Sequence, residues 1–225
     1  MAKPATSPIK ITIHLADGRL NSADGIIMFD AILYHAWFAK YAPHVLDGNG
    51  DDNYDGYTGL PLRQLPGNRW AASKGIYTEV SQSIEHINKR PDFFAPPKSD
   101  YLGMDKGIIS DSVGLYRAYR IPAVIRTVKD GLVTFWAMGH KDAVLDLLSY
   151  LPALGKKPAA GYGIIDSYTV EDCDDDYSLV HPEYGLMRPA PVEDGVEYKG
   201  YPIMRYSVKP PYWKPKNMRL CYVPI

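Results

Sequence analysis

The chain has 225 residues, 46% of them hydrophobic and 23% charged, with a formal net charge of −1. That length fits one elaborated domain or two small ones, and the balance is that of an ordinary globular protein rather than one drawn to nucleic acid by bulk charge. Cys173 and Cys221 are the only cysteines and lie far apart, which argues against a disulfide framework or a cysteine zinc site, and no apolar run approaches the roughly 20 residues that span a bilayer. Residues 1–10 lack an apolar signal-peptide core, so no export and no membrane are expected, and sparse cysteine fits a reducing, cytoplasmic setting.

Residues 9–15 alternate, with Ile9, Ile11, Ile13 and Leu15 on one face, which predicts a strand ended by Asp17-Gly18. Over residues 29–41, Phe29, Ile32, Leu33, Ala36, Trp37 and Lys40 follow helical spacing, and Pro43 stops the helix. Residues 47–59 form a Gly/Asp/Asn loop. Residues 60–78 look like a hairpin turning at Pro66-Gly67-Asn68. Residues 84–122, with Pro91, Pro96 and Pro97, read as an irregular insertion projecting from the core. Residues 123–128 and 132–138 are expected to pair as a hairpin across Lys129-Asp130-Gly131. Residues 140–151 form a second helix with Val144, Leu147, Leu148 and Leu151 inward, and residues 164–170 a last core strand. From Glu171 onward the chain is rich in Pro and Tyr and reads as short extended pieces without a helix.

Merging the middle strands gives β-α-β-β-α-β. The expected class is α+β, with a ferredoxin-like, RRM-like core over residues 1–170, the insertion at about 84–122, and a C-terminal extension over 171–225. The open face of such a sheet is a platform for single-stranded RNA.

The most informative stretch is residues 154–163, where Gly155, Gly161 and Gly163 surround Lys156, Lys157 and Tyr162 between a helix-like and a strand-like run. Glycine admits close backbone approach, lysine pairs meet phosphates, and a tyrosine offers a face to a base. A tight helix-to-strand turn with solvated lysines explains the same residues. Arg117, Tyr119 and Arg120 interleave cations with an aromatic, which suits phosphate contact plus stacking, or equally a charged edge strand. In an extended segment Arg117 and Tyr119 share a face and Arg120 points away. Met187-Arg188-Pro189 is a rigid segment that presents Arg188 to a phosphate or a partner carboxylate.

Catalytic and metal signals are weak. Residues 47–55 resemble a calcium loop but carry Asp52 and Thr58 where glycine and glutamate are required. The acidic run at 171–176 reads as a solvated loop before it reads as a magnesium site. Six histidines form no metal spacing, and there is neither a phosphate-binding loop of the Gly-x-x-x-x-Gly-Lys-Ser/Thr kind nor a Gly-x-Ser-x-Gly elbow. His140, His86, Tyr119 and Lys157 are the residue types a metal-independent ribonuclease uses, but nothing in the sequence brings them together. No catalytic residue, metal or cofactor is therefore assigned.

Taken together, Leu154-Gly155-Lys156-Lys157, Gly161-Tyr162-Gly163, the acidic stretch, Tyr177-Ser178-Leu179 and Leu186-Met187-Arg188-Pro189 carry a family resemblance. So do Leu60-Pro61-Leu62, Ala71-Ala72-Ser73, residues 116–122, Pro210-Pro211-Tyr212-Trp213 and Cys221-Tyr222-Val223-Pro224. The chain resembles the crRNA 5′-handle-binding subunit of type IV CRISPR effector complexes, in the RAMP superfamily. That resemblance implies a non-catalytic role: a ferredoxin-like core with a glycine-rich loop caps the guide RNA at its repeat-derived 5′ handle. The partners it implies are the handle, the backbone subunit and the large subunit, and contact with target DNA near the protospacer-adjacent motif is left open. It implies that the insertion acts as a thumb, and it maps the glycine-rich loop onto Gly155, Lys156, Lys157, Gly161, Tyr162 and Gly163. The alternatives are a metal-independent endoribonuclease that processes repeat RNA, and a protein-interaction module without RNA contact.

Overall fold

The computed structural model describes residues 6–46, 56–89 and 119–224. The chain opens with β1 (Ser7–Leu15), whose Ile9, Ile11, Ile13 and Leu15 are buried while Lys10, Thr12 and His14 on the other face are half-buried. β2 (Arg19–Asn21) follows the Asp17-Gly18 break, and then α1 (Phe29–Tyr41) begins. Phe29, Ile32, Leu33, Ala36 and Trp37 form the helix's buried stripe, and the Ala42 N–H closes it onto the Phe38 carbonyl before Pro43. β3 (Gln64–Leu65) and β4 (Arg69–Trp70) make a short hairpin around Pro66-Gly67-Asn68.

β5 (Glu79–Lys89) and β6 (Tyr119–Val128) are two long antiparallel strands. β7 (Leu132–Gly139), α2 (Lys141–Leu148) and β8 (Ile165–Asp172) complete the core. The extension holds the pair β9 (Val180–His181) and β10 (Gly185–Leu186), then β11 (Ala190–Pro191), β12 (Ile203–Ser207) and β13 (Met218–Tyr222). The fold is thus α+β, mostly strand with two α-helices among the described residues. No helix among them is long and apolar enough to cross a membrane.

The central sheet has the order β7-β1-β8, antiparallel throughout, with Ile11 opposite both Phe135 and Val170. Residues 62–76 run antiparallel along the outer edge of β7 through the bridges Leu62↔Gly139, Ala72↔Ala137 and Ile76↔Thr134. Both helices bury their stripes on the face that carries Ile9, Ile11, Ile13, Val133, Phe135 and Val170. The ring centroids of Phe29 and Phe135 lie 5.2 Å apart there. A second sheet, β2-β6-β5, leans on the first, and β11-β13-β12 closes a small core of Val208, Cys221 and Val223 against Ile26 and Tyr206.

Three expectations are corrected. Residues 123–128 and 132–138 flank the expected turn but do not pair. β6 joins β2 and β5, whereas β7 joins β1. The cause lies at the turn: the Val128 N–H goes to the Gly18 carbonyl and the Lys129 N–H to that of Thr78. Gly131 (φ +68°) is wedged so close to the end of β1 that a Cβ would stand 2.5 Å from the Leu15 carbonyl oxygen. The chain therefore passes from one sheet to the next.

The irregular insertion does not begin at residue 84. β5 continues to Lys89 and is paired to its end, with Lys89 opposite Tyr119. One face of this ribbon is exposed and the other is buried only around Ala123 and Ile125, so most of its sequence lacks the one-sided alternation that marks a half-buried strand.

Arg188, expected as a phosphate contact, is 1% exposed. Its guanidinium donates to the carbonyls of Ala72 (3.3 Å) and Val208 (2.8 Å) and lies 3.5 Å from the Asp30 carboxylate. Asp30, 0% exposed, also accepts from the Tyr212 hydroxyl at 2.8 Å. Burial pushes the Asp30 carboxyl upward, against the opposing pull of Arg188 and Tyr212. Arg188 therefore fastens the extension to α1 and to the edge of the central sheet.

Candidate nucleic-acid interface

The glycine-rich loop leaves α2, makes a three-residue 3-10 turn at Pro158–Ala160, and returns into β8. Its base is tightly closed. Leu154 donates to the Gly163 carbonyl (2.8 Å), Gly163 to that of Arg19 (2.7 Å), and Lys156 to that of Asn21 (3.0 Å). A Cβ on Gly163 would stand 1.9 Å from the Leu154 carbonyl oxygen, and one on Gly155 would stand 2.7 Å from that of Asn21. Gly155 thus serves the packing of the loop on β2, and Gly163 the closure of the loop's base against Leu154. Gly161 differs: at φ +86° its Cβ position meets nothing within 4 Å, so it stands in open space at the loop's crest.

The Gly161 and Gly163 amides are not free to bind a phosphate. The first donates to the Pro158 carbonyl and the second to that of Arg19. Lys156 and Lys157 are both exposed, and Lys157 sits in the left-handed region at φ 61°.

Tyr162 is 6% exposed and packs with Ala123, Ile125 and Ile87, so its ring is not open to a base. Its hydroxyl donates to Glu85, which also pairs with Arg19, and the Arg19 guanidinium lies 5.0 Å from the centre of the Tyr162 ring. The Tyr162 hydrogen bond, and after it Arg19, holds the Glu85 carboxyl below its ordinary value. The same hydrogen bond raises the Tyr162 hydroxyl. Sequence reading missed Arg19 and Glu85, 66 residues apart in the chain. Nothing in either local pattern foretells their pairing, which depends on β2 and β5 both flanking β6.

The ribbon β5–β6 carries the remaining candidates on two faces. Tyr119, half-buried, shares the face of Ile121, Ala123 and Ile125, the one against which Tyr162 packs. Arg120 is exposed on the opposite face, paired with Asn88 and in line with His86 and Ile84. Arg117 lies outside the described residues. Lys156, Lys157 and Tyr119 thus belong to the loop side of the ribbon, Arg120 to the other, and Arg188 to the interior.

The ribonuclease set does not converge. His140 caps α2, its Nδ1 accepting from the Ala143 N–H at 3.3 Å. It follows Gly139, which pairs with Ser7 at one end of β1, whereas the glycine loop meets the other end, where Ala16 donates to the Ile164 carbonyl. At about 3.3 Å per residue, the length of β1 separates them by about 26 Å. His86 and Tyr119 face opposite sides of the ribbon.

Part of the acidic run is engaged by cations and hydroxyls. Asp172 pairs with Lys141 at 2.9 Å, Asp176 with Arg63 at 2.5 Å, and Asp175 accepts from the Tyr177 hydroxyl at 3.1 Å. Among the described residues no three His, Cys, Asp or Glu side chains gather as a metal-ligand group. Residues 47–55, weighed as a calcium loop, lie outside the described residues.

The fold and site therefore define an α+β protein whose lysine-bearing glycine loop is locked beside a long two-stranded ribbon. The chain belongs to a family described as CRISPR type IV associated protein Csf3, whose model matches residues 7–224. It is accordingly a type IV CRISPR protein, from a system that works as a multi-subunit complex. No curated protein matches the chain.

Proposed function

We propose that this chain is a non-catalytic, RAMP-type subunit that grips the repeat-derived 5′ handle of the crRNA and caps that end of the complex. The observation that carries the reading is the loop itself. Its base is closed by backbone bonds to β2, and its crest carries exposed Lys156 and Lys157 beside open space at Gly161. A rigid loop with two unscreened cations loses little conformational entropy when it meets a phosphate backbone. The inner face of the ribbon, with Tyr119, forms the opposite wall.

The strand order supports a ferredoxin-like core. β8, β1, β7 and the edge segment 62–76 follow one another antiparallel, with both helices on one face. The separation of His140 from the loop, and the opposed faces of His86 and Tyr119, favour binding over cleavage. Contact with the backbone and large subunits, and with target DNA near the protospacer-adjacent motif, belongs to the same reading. Exposed Ile203 (51%) and Leu220 (54%) on the β12–β13 sheet supply apolar surface suited to a neighbouring subunit.

The test is the salt dependence of handle-RNA binding by the purified protein. Four neutralised phosphates give a log–log slope near −3 for a single strand, and Lys156→Ala/Lys157→Ala reduces it by about 1.4. A slope near zero, or one unchanged in the double variant, overturns the loop as the binding element.

A further inference from the structure

Every acidic residue of the chain lies within the first 197 positions. The last 28 residues hold Lys199, Arg205, Lys209, Lys214, Lys216 and Arg219 and no acid. A protein of formal charge −1 therefore carries +6 in its final eighth, and −7 over the rest. Such a separation is an electrostatic footprint even when the net charge is near zero.

The structure gathers part of this charge on one loop. Residues 208–217 are closed by the Val208 N–H on the Asn217 carbonyl (3.1 Å). The Asn217 side chain, 3% exposed, pins the loop from inside through the Pro211 carbonyl (3.0 Å). On this loop stands Trp213, 68% exposed, while Trp37, Trp70 and Trp136 are 6, 9 and 7% exposed. An indole so exposed on a pinned loop gains nothing from burial, yet it offers a flat, rigid stacking face.

On the same loop, Lys209 donates from Nζ to the Gly67 carbonyl (3.1 Å) and, with Arg219 and Arg69, lines a cavity of about 250 Å³. Asp194 answers Arg69 through two bonds, of 2.7 and 3.0 Å, and is used up by it. Glu193 lies 3.5 Å from Arg219 but its side chain is 68% exposed, so it can swing away. Burial, and then the nearby charges of Arg219 and Lys216, hold the Lys209 ammonium below its ordinary value. Crowded cations in a small recess gain when an anion enters.

We propose that the 208–217 loop is a second binding surface for single-stranded nucleic acid, with a base stacked on Trp213 and a backbone phosphate in the Lys209–Arg219 recess. Stacking accepts any base, and the phosphate is common to RNA and DNA, so the surface tracks a strand rather than reads a sequence. It shares no residue with the glycine loop and does not depend on the handle reading.

Trp213 supplies its own readout, because the other three tryptophans are buried. The full-length protein is titrated with oligouridylate and, separately, with oligothymidylate, following tryptophan emission. The expected result is saturable quenching that Trp213→Phe abolishes and Lys156→Ala/Lys157→Ala leaves in place. Lys209→Ala/Arg219→Ala weakens the affinity read by quenching about tenfold and lowers its salt slope by about 1.4. Should Lys209→Ala impair folding, Arg219→Gln with Lys216→Gln, both at exposed positions, carries the same test. Quenching by RNA alone points to the guide strand, by DNA alone to a target strand, and by both to either, each outcome upholding the surface. No quenching by either oligomer, or quenching indifferent to the cation variants, overturns it, and neither result touches the lysine-dependent binding predicted for the glycine loop.

Discussion

The guanidinium of Arg188 lies 3.5 Å from the carboxylate of Asp30, and both side chains are buried, at 2% and 0% exposure. This pair joins α1 to the C-terminal extension, with the Tyr212 hydroxyl completing it from a third segment. Removing one partner leaves a charge in the interior. Arg188→Met is expected to cost about 3–5 kcal/mol, and Arg188→Met/Asp30→Leu to recover much of that. Urea denaturation of the three proteins checks it. A single variant as stable as the parent contradicts the account of Arg188.

Gly163 and Gly161 both have positive φ, at +68° and +86°, but only Gly163 is crowded. Gly161→Ala is expected to cost about 1–2 kcal/mol, the strain of a left-handed residue alone. Gly163→Ala adds a collision with the Leu154 carbonyl and costs clearly more. Thermal denaturation of the two variants separates these cases, and equal losses refute the distinction between a packing glycine and a crest glycine.

Glu85 titrates below its ordinary value of 4.5 because Tyr162 and Arg19 hold the charged form. A carboxylate with a depressed folded-state pKa contributes stability above the unfolded pKa and loses it as pH falls through the folded value. The attachment of the loop to the ribbon is therefore expected to loosen below about pH 4.5. Hydrogen exchange of the loop amides, followed from pH 6 to about pH 3, checks this. In Glu85→Gln or Tyr162→Phe the loop should exchange faster at neutral pH and show less added loosening in acid. An unaltered profile in both variants removes the lock from the account.

Tyr119 and Arg120 lie on opposite faces of the ribbon. If the handle occupies the loop side, Tyr119→Ala lowers its affinity by a stacking contribution of about 1–3 kcal/mol with little change in salt slope. Arg120→Ala leaves that affinity nearly intact. Filter binding at two salt concentrations checks both. The reverse ranking puts the RNA on the other face.

How much of this was legible in the residues follows from how each element is buried. The spacing of Phe29 to Trp37 and the alternation of Ile9 to Leu15 report one-sided burial, and the first helix matches its expected bounds, residues 29–41. The ribbon was opaque because its inner face is buried only around Ala123 and Ile125, while Val80, Ile84 and Ile121 are exposed apolar residues that blur the alternation. The failed hairpin at Lys129-Asp130-Gly131 had the right turn chemistry, yet the partners of both strands come from residues far away in sequence. Arg188 looked like a surface cation because its counter-ion stands 158 positions earlier. The loop 154–163 was found from composition, but which of its glycines pack and which stand free depends on β2.

The central claim is that Lys156 and Lys157 help hold one fixed end of a guide RNA. The most direct measurement is to purify the complex formed with the neighbouring subunits and sequence the RNA it retains. The account predicts short RNAs sharing a single repeat-derived 5′ end, depleted in the complex that carries Lys156→Ala/Lys157→Ala. Subunits that assemble without RNA, or with RNA of random ends unaffected by that change, would contradict it.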